Sequence, residues 1–555
     1  MAAGERKTSL PALNPRASIL IQDDEATPRT MAAYSAAYTQ ALTPHATIPI
    51  VQDGSIEPPK ALRVNRIVYT SAYLSMLQGV LYGWSLSQLN YSKFNNIEDC
   101  DRRPITPGTC LMFPGHTSTE WIFVVNSWVV GGIFGGLLCG PVADQIGRKR
   151  TLMLNCAIIA TGAVVQAVSP TLLVFCVGRF ITGIACGVVA AVCNTYVSEI
   201  SPPHIRGVLG SFYSVAIGSG VFLVGLMPFV AGTSTGWRYI AAFPIIVAIV
   251  FAQLAPKHLA ESPTWLVTRG HHDEARKVLA QFYGEENVDV ALSWIKAPVE
   301  EPRLDESSSS TSEAASPVHL SYVQPQRQQQ QIAPAKPSPL KSLMTKQHRK
   351  KLILAVALAF ATQFSGINAV FFYSSSILKD AGIEDSRIGS LIVNLFNLIP
   401  AMVAGRYVKR IGNRRGIILG PCGMILSALG LTIARVYHIS SLSILFITTY
   451  VVTFTVCLGA MGVAVGTSLF PDSLRATGTS IMMCINWCGT FTIGVGYPFL
   501  AACLNAYAFV PFIGTLSFFA LFFYVFLPDT TNKTTAEIQE LFEPGHLKKE
   551  QASAV

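Results

Sequence analysis

Apolar runs of about twenty residues, separated by short loops rich in glycine, proline and charge, recur along the chain between residues 67 and 527. A run of that length crosses a hydrocarbon core of about 30 Å as an α-helix. Twelve such runs stand near 67–89, 121–139, 152–168, 172–196, 207–230, 237–254, 352–378, 389–407, 416–434, 442–469, 476–500 and 506–527. One of them is interrupted. Residues 352–378 carry Gln363-Phe364-Ser365-Gly366-Ile367-Asn368 at their middle and close on Phe371-Phe372-Tyr373. Buried amides cost about 1–3 kcal/mol even when partly compensated, so Gln363 and Asn368 must face protein or a wet cavity rather than lipid. Gly366 allows a bend or a close approach there, and a glycine-interrupted span marks a site within the membrane. The plainer alternative is a helix whose amides only bond its neighbours.

Composition agrees with the pattern. Half of the 555 residues are hydrophobic and 13% are charged, against about 25% charged in soluble domains, and mean hydropathy is +0.42. The expected class is an all-α polytopic membrane protein. The net charge of +9 does not call for nucleic acid, because the basic residues sit in short loops beside spans. Arg148, Lys149, Arg150, Arg206, Arg406, Lys409, Arg410, Arg414, Arg415 and Arg475 all fall on one side, which the positive-inside rule makes the cytoplasm. An even number of spans then puts both termini there. Residues 1–61 lack the apolar core of a cleavable signal peptide, so the first span should direct insertion.

Ten of the twelve cysteines lie in or at the edge of spans, where a thiol is a small hydrophobe. Cys100 and Cys110 share the first external loop, where a disulfide is compatible with the location. No zinc spacing, phosphate loop or nucleophile–base pair occurs, so no metal, cofactor or catalytic residue is expected.

The expected organisation is a disordered tail over 1–64, a six-helix bundle over 65–256, and a cytoplasmic region over 257–350. A second six-helix bundle spans 351–528 and a cytoplasmic tail 529–555. The region between the bundles begins with helical pattern and turns into a serine-, glutamine- and proline-rich linker at about 300–340, containing Ser316-Pro317 and Ser338-Pro339 as possible phosphorylation points. The first span ends in small and polar residues, Gly83-Trp84-Ser85-Leu86-Ser87, and should line a path rather than face lipid. A glycosylation sequon, Asn90-Tyr91-Ser92, follows it close to the membrane.

The chain repeats itself. Gly140 to Arg150 recurs at an offset of 265 as Gly405 to Arg415. Glu199-Ile200-Ser201-Pro202 with Arg206 returns at 269 as Ser468-Leu469-Phe470-Pro471 with Arg475, and Glu261 meets Asp529 at 268. Near-constant offsets over three loops imply two six-span halves in parallel orientation, the arrangement of bundles that rock about a shared midplane site.

These motifs, taken in order, resemble the sugar porter branch of the major facilitator superfamily and look closest to its facilitative hexose transporters. The likeness covers about 65–545 and rests on GPVADQIGRKR, GRFITG at Gly178 to Gly183, YVSEISPPHIRG at Tyr196 to Gly207, ESPTWL at Glu261 to Leu266, QFSGINAVFFY, and PDTTNKT at Pro528 to Thr534. The resemblance implies transport of a hexose by alternating access. It implies a cytoplasmic latch of Asp144, Arg148, Glu199, Arg206 and Glu261 with Arg414, Arg415 and Arg475. Surface-type pairs of about 0–1 kcal/mol each bias such a latch without locking it. It also implies sugar ligands at Gln363, Asn368, Asn394, Asn486 and Trp487, with Phe372 and Tyr373 as the outer gate. A neutral ring of hydroxyls calls for amides that both donate and accept, and for an aromatic face.

The departures from the family pattern bear on substrate and energetics. Ser214 and Thr362 stand where glutamines are usual, so fewer amides remain. The stretch Gly459 to Val465 lacks the usual proline and tryptophan, Ser468 replaces a glutamate, and Lys409 replaces an acid, so the second-half latch is degraded. Proton-coupled relatives place an aspartate on the first span opposite an arginine on the fourth. Here Ser85 stands at that position while Arg179 remains as an intramembrane charge. Serine does not titrate near neutral pH, which points to facilitated diffusion; the resemblance makes the plasma membrane the expected location. A proton-coupled sugar or polyol symporter, or a non-transporting sugar sensor of the same fold, is the alternative.

Overall fold

The computed structural model describes residues 64–94, 100–101, 103–104, 109–295, 339–383, 385–531, 533 and 535–542, with two nested strand pairs ahead of them, Thr47–Ile48 with Lys60–Ala61 and Val51–Gln52 with Ser55–Ile56. Otherwise the expected N-terminal tail, the linker at about 300–340 and the end of the C-terminal tail lie outside the described residues.

Everything else of size is helical. The first half holds α1 (Arg66–Ser87), α2 (Ser118–Ile146), α3 (Arg148–Val168), α4 (Leu172–Ile200), α5 (Pro203–Ala231) and α6 (Trp237–His258). Three short helices follow, α7 (Pro263–Thr268), α8 (His272–Tyr283) and α9 (Val288–Ile295), and then α10 (Pro339–Leu343). The second half holds α11 (Lys346–Phe364), α12 (Ile367–Asp380), α13 (Ser386–Ile411), α14 (Asn413–Val436), α15 (Ser440–Phe454), α16 (Ala460–Ser468), α17 (Asp472–Leu504) and α18 (Val510–Phe526), and α19 (Thr535–Glu540) closes the order. The broken seventh span is α11 with α12. The tenth is α15 with α16, joined by a π turn at Thr455–Gly459.

Each of the twelve expected spans is occupied by helix. Ten spans among the described residues are long and apolar enough to cross a membrane. Val510–Phe526 is apolar but short, and α1 is long enough but diluted by polar residues. Those residues are turned inward: Gln78 donates to the Leu152 carbonyl at 2.7 Å and accepts from Asn155, and Ser71 donates to the His258 carbonyl. An inward polar face keeps α1 within the half, where its bonds are satisfied, rather than against lipid.

Small residues decide how closely helices approach in the first half. A Cβ placed on Gly131 or Gly135 would stand 2.1 and 2.0 Å from the carbonyl oxygens of Phe180 and Ile184, so α2 and α4 meet backbone to backbone. Gly83 and Gly220 do the same for α1 and α5. The two halves meet where α2 lies on α17 and α5 on α13.

At the end of the molecule bearing the 90–117 loop, a network of neutral side chains ties the halves together. Ser87 donates to the Phe371 carbonyl at 2.8 Å, Asn90 Nδ2 donates to Ser374 Oγ at 2.7 Å, and the Ser375 amide donates to Asn90 Oδ1 at 3.0 Å. The Ser92 amide donates to Ser375 Oγ, and the Ser92 and Ser375 hydroxyls share the hydroxyl of Ser386. In the adjoining loop Cys100 and Cys110 are disulfide-bonded, and burial holds the nearby His116 imidazole below the ordinary histidine range.

At the other, basic end the sequence repeat is visible bond by bond. Gly147 and Gly412 turn the chain from α2 into α3 and from α13 into α14, with φ/ψ of 92°/165° and 84°/156°, a region essentially reserved for glycine. The exposed amides at the start of α3 are capped by Glu261, which accepts from Arg148 N at 2.8 Å and Lys149 N at 3.1 Å. A carboxylate there also meets the positive end of the helix dipole. At the start of α14 the same task falls to a hydroxyl: Thr531 Oγ1 accepts from Asn413 N at 2.7 Å and donates to Asp529. Burial pushes the Asp529 carboxyl up, but the bonds from Thr531 outweigh it and hold the group below its usual range.

Two outcomes follow. Gly147→Ala places a methyl 2.4 Å from Glu261 Oε2, whereas Gly412→Ala meets Thr531 Oγ1 at 3.0 Å. Both lose about 1–3 kcal/mol to backbone strain, and Gly147→Ala loses the carboxylate cap as well. Thermal unfolding in detergent should show the larger fall in Tm for Gly147→Ala, and equal falls would assign the cap no weight. Because the Asn90 amide nitrogen is engaged with Ser374, glycosidase treatment should leave the mass of the purified protein unchanged. A shift abolished by Asn90→Gln would contradict this.

Candidate functional site

Breaking a helix inside a membrane strands carbonyls that no water reaches, so the break at Gly366 has to be served by neighbours. Gly366 has φ 79°, and the ring of Phe512 lies 2.7 Å from where its Cβ would be. Thr515 of α18 donates to the Phe364 carbonyl at 2.8 Å, the Tyr450 hydroxyl of α15 donates to the Ser365 carbonyl, and the Ser365 hydroxyl donates to the Thr362 carbonyl at 2.7 Å. The break is therefore fixed from three sides.

That fixed break aims two amides at α17. Gln363 Nε2 donates to Asn486 Oδ1, and Asn368 Nδ2 donates to Gln363 Oε1. The Thr490 hydroxyl lies 3.0 Å from Gln363 Oε1, 3.2 Å from Asn368 Nδ2 and 3.0 Å from the Asn486 carbonyl. Gln363, Asn368 and Thr490 are all buried. The result is a compact set of neutral donors and acceptors whose bonds can be exchanged for those of a hydroxyl-bearing ligand at little net cost, since a neutral hydrogen bond contributes about 0.5–1.5 kcal/mol net.

The other expected ligands are distributed around it. Trp487, next to Asn486, lies against the first half: a Cβ on Gly132 would be 2.4 Å from its ring, and its centroid is 5.5 Å from Trp128 and 6.1 Å from Tyr82. Asn394 crosses the interface on α13, donating to the Val221 carbonyl of α5 at 3.3 Å, and is not bonded to Gln363. Thr362 donates back to Leu358 of its own helix at 2.8 Å, and Ser214 is exposed on α5. Phe372 and Tyr373 are buried at the loop-end side of the cluster. Tyr373 donates to the Gly494 carbonyl at 3.0 Å and stacks on Tyr497, while Phe372 faces Trp128 edge-on at 6.5 Å.

Arg179 is fully buried on α4 and donates to the Ser85 carbonyl at 2.8 Å, with its guanidinium 5.7 Å from the Trp128 ring centroid. Its bonded partner is thus a backbone oxygen, aided by a ring face.

At the basic end Arg148 grips Glu199 in two bonds, Nε to Oε2 at 3.0 Å and Nη2 to Oε1 at 3.1 Å, and reaches Asp144 through Nη1 at 3.1 Å. Bidentate geometry of this kind outlasts a single surface contact. The Asp144 carbonyl is held by Trp265 and by the Arg269 fork. These bonds of Asp144, Arg148, Glu199 and Glu261 stay within the first half and the short segment that directly follows it. Arg206 and Arg475 occupy matching places in the repeat, each donating to the carbonyl five residues earlier, Ser201 at 3.3 Å and Phe470 at 3.5 Å. Arg414 donates to the Tyr524 carbonyl and Arg415 is exposed. Ser468, in the place corresponding to Glu199, donates to Val465 of its own helix.

Sequence reasoning passed over Thr490, Tyr450, Thr515 and Asn397, the last of which accepts from Thr455 in the π turn at 2.7 Å. The signal was available in part: each is a polar residue inside an apolar window, but none belongs to a run that names its partner.

Residues 67–542 match the family model described as "Sugar (and other) transporter". The chain is 28% identical over 520 residues to the solute carrier family 2 facilitated glucose transporter member 4 of Bos taurus, covering 90% of this chain and 95% of that protein. It is 29% identical over 484 residues to member 9 of Homo sapiens, covering 83% and 82%. Among solved structures, the inward open conformation of the xylose transporter XylE from E. coli superposes with a TM-score of 0.67 at 22% identity, covering 86% of this chain and all of that one. The partially occluded inward open conformation gives 0.66, covering 84% of this chain. With the family model matched across both helical halves and this fold, the chain belongs to the sugar transporter family, in the sugar porter branch of the major facilitator superfamily, as an integral membrane protein.

Proposed function

We propose that the chain carries a neutral, glucose-like hexose through the plasma membrane by alternating access, as a uniporter without enzymatic activity. The observation that carries this reading is the cluster of Gln363, Asn368, Asn486 and Thr490 beside a broken helix at the boundary of the two halves. Amides and hydroxyls donate and accept without titrating, which suits a ring of hydroxyls and not an ion. Trp487, supplied from the same helix, offers an apolar face for the CH side of such a ring. The facilitated glucose transporters among the relatives supply the choice of hexose.

The basic loops support a cytoplasmic side for the basic end and for both chain termini. The neutral network at the opposite end then closes the site toward the outside, while Gly140, Gly207 and Gly210, on the basic-end portions of α2 and α5, would meet nothing within 4 Å. This supports an inward-facing arrangement of two six-helix units, 65–256 and 351–528. In it the Arg148–Glu199 group is held inside the first unit. Arg414, Arg415 and Arg475 become its partners when the cytoplasmic side closes.

Energetically, the place of a proton-carrying acid holds Ser85, whose carbonyl already occupies Arg179. Coupling needs a group that changes charge within the membrane.

In a cell lacking hexose transport, Gln363→Leu should raise the half-saturation concentration for glucose at least about tenfold, since about 1.4 kcal/mol is a decade and one unsatisfied buried group costs about 1–3 kcal/mol. The double variant with Asn486→Ala should be less than additive because the two side chains are directly bonded. Gln253→Ala, exposed on α6, should transport normally. Unchanged half-saturation in Gln363→Leu at normal surface level would reduce the amides to helix-packing groups. Uptake should also be indifferent to protonophore and to external pH between about 5.5 and 8. Sugar-driven alkalinisation of the medium would replace the uniporter with a symporter.

A further inference from the structure

The cluster around Gln363 is built from the second half alone: Gln363 and Asn368 from α11 and α12, Asn486 and Thr490 from α17. A ligand held only there would do nothing to draw the first half toward it, because a ligand biases a conformational equilibrium only through contacts that differ between states. The first half does carry a polar group aimed at this region. Asn126 lies on α2 in a stretch of valine, tryptophan and glycine, and is 2% exposed. Its Nδ2 donates to the Ile122 carbonyl of its own helix at 2.8 Å. A carbonyl can only accept, so this bond fixes the amide nitrogen toward α2 and turns Oδ1 the other way. Oδ1 has no hydrogen-bond partner among the described residues.

Its direction is set by Gly494 on α17. A Cβ on Gly494 would stand 2.3 Å from Asn126 Oδ1 and 3.2 Å from the Phe372 ring. Gly494 is one helical turn along α17 from Thr490, and its carbonyl takes the Tyr373 hydroxyl. The orphan acceptor therefore crosses the boundary between the halves and ends against the gate aromatics, one turn from the cluster. Buried polar groups without partners are rare enough to demand a reason, and here the missing partner is a hydrogen-bond donor.

We propose that Asn126 is the first half's own ligand for the sugar: its Oδ1 accepts a proton from one hydroxyl of the ring while Gln363 and its neighbours hold others. The proposal rests on the hexose reading above. The unpartnered atom of Asn126 is an acceptor, so this contact recognises a hydroxyl that donates. It discriminates against the same carbon bearing hydrogen or fluorine, since neither has a proton to give. Contact from both halves at once is what links occupation of the site to their relative movement.

The test is uptake of glucose and of its monodeoxy and monofluoro analogues by the full-length chain and by Asn126→Ala, each normalised to surface protein. Sugar-induced change in tryptophan fluorescence of the purified protein provides a second readout. The unmodified chain should disfavour the deoxy and fluoro analogues at one ring position by about tenfold. Asn126→Ala should raise half-saturation for glucose by a similar factor and erase the discrimination at that position only, leaving the other positions as they were. Asn126→Asp, which keeps an acceptor in place, should retain it and guards against a folding defect in the alanine variant. A uniform change across all analogues, or none, at normal surface level would overturn the proposal and leave Asn126 a packing residue. Absence of hexose uptake and binding in the unmodified chain would instead strike the hexose reading, and this assignment with it.

Discussion

A peptide carbonyl freed from its helix within a membrane has no solvent to turn to, and the pair of carbonyls freed around Gly366 organises much of the second half. Tyr450 and Thr515 satisfy them from two other helices, and Phe512 closes over the glycine. Each of these side chains has to be where it is for the break to exist at all, because an unsatisfied group would cost several kcal/mol. The orientation of Gln363 and Asn368 toward α17 follows from that anchoring. So does the contact of α17 with α2, through which Trp487 meets the glycines of the first half. The geometry of the site is thus inherited from a backbone requirement, with the amides as its visible result.

The halves answer the same plan in different materials. The first half closes α2 on α4 by backbone contact at Gly131 and Gly135, whereas in the second half the glycines of α14, Gly416 and Gly420, face the side chains of Met461 and Cys457. Where the first half caps a helix with the carboxylate of Glu261, the second uses the hydroxyl of Thr531 carried by Asp529. The Arg148–Glu199 fork has no equivalent at Ser468. Backbone contacts and bidentate pairs make a stiff unit, whereas the second half contains the broken helix and the π turn, features that allow segments to shift.

Much of the architecture can be read from the residues alone, since hydropathy locates twelve spans and the offsets of Gly140/Gly405 and Arg206/Arg475 reveal the repeat. The break at Gly366 is equally plain, because a glycine between two amides has few other uses in a membrane. Partnership is what linear pattern withholds. Asn394 looks like a neighbour of Gln363 and instead bonds Val221 across the interface. Glu261 reads as a latch charge, and its bonds in this arrangement are to the amides that open α3. Tyr450 and Thr515 are ordinary members of apolar windows until the fold brings them to a freed carbonyl. Periodicity reports which face a residue occupies, and says nothing of what another helix places opposite it.

The two ends of the molecule are held by different chemistry. Hydroxyls and amides of Ser87, Asn90, Ser92 and Ser375 join the halves at the loop end, while carboxylates and guanidinium groups crowd the basic end. Mobile ions screen charges over about 8–10 Å at physiological strength but leave neutral hydrogen bonds almost untouched. Ionic strength therefore acts on this protein asymmetrically. Salt in the compartment facing the arginines weakens the charged contacts there, whereas at the loop end it reaches the Arg387–Asp385 pair and leaves the serine and asparagine bonds that join the halves as they were, so the medium on each side of the membrane acts on a different part of the protein.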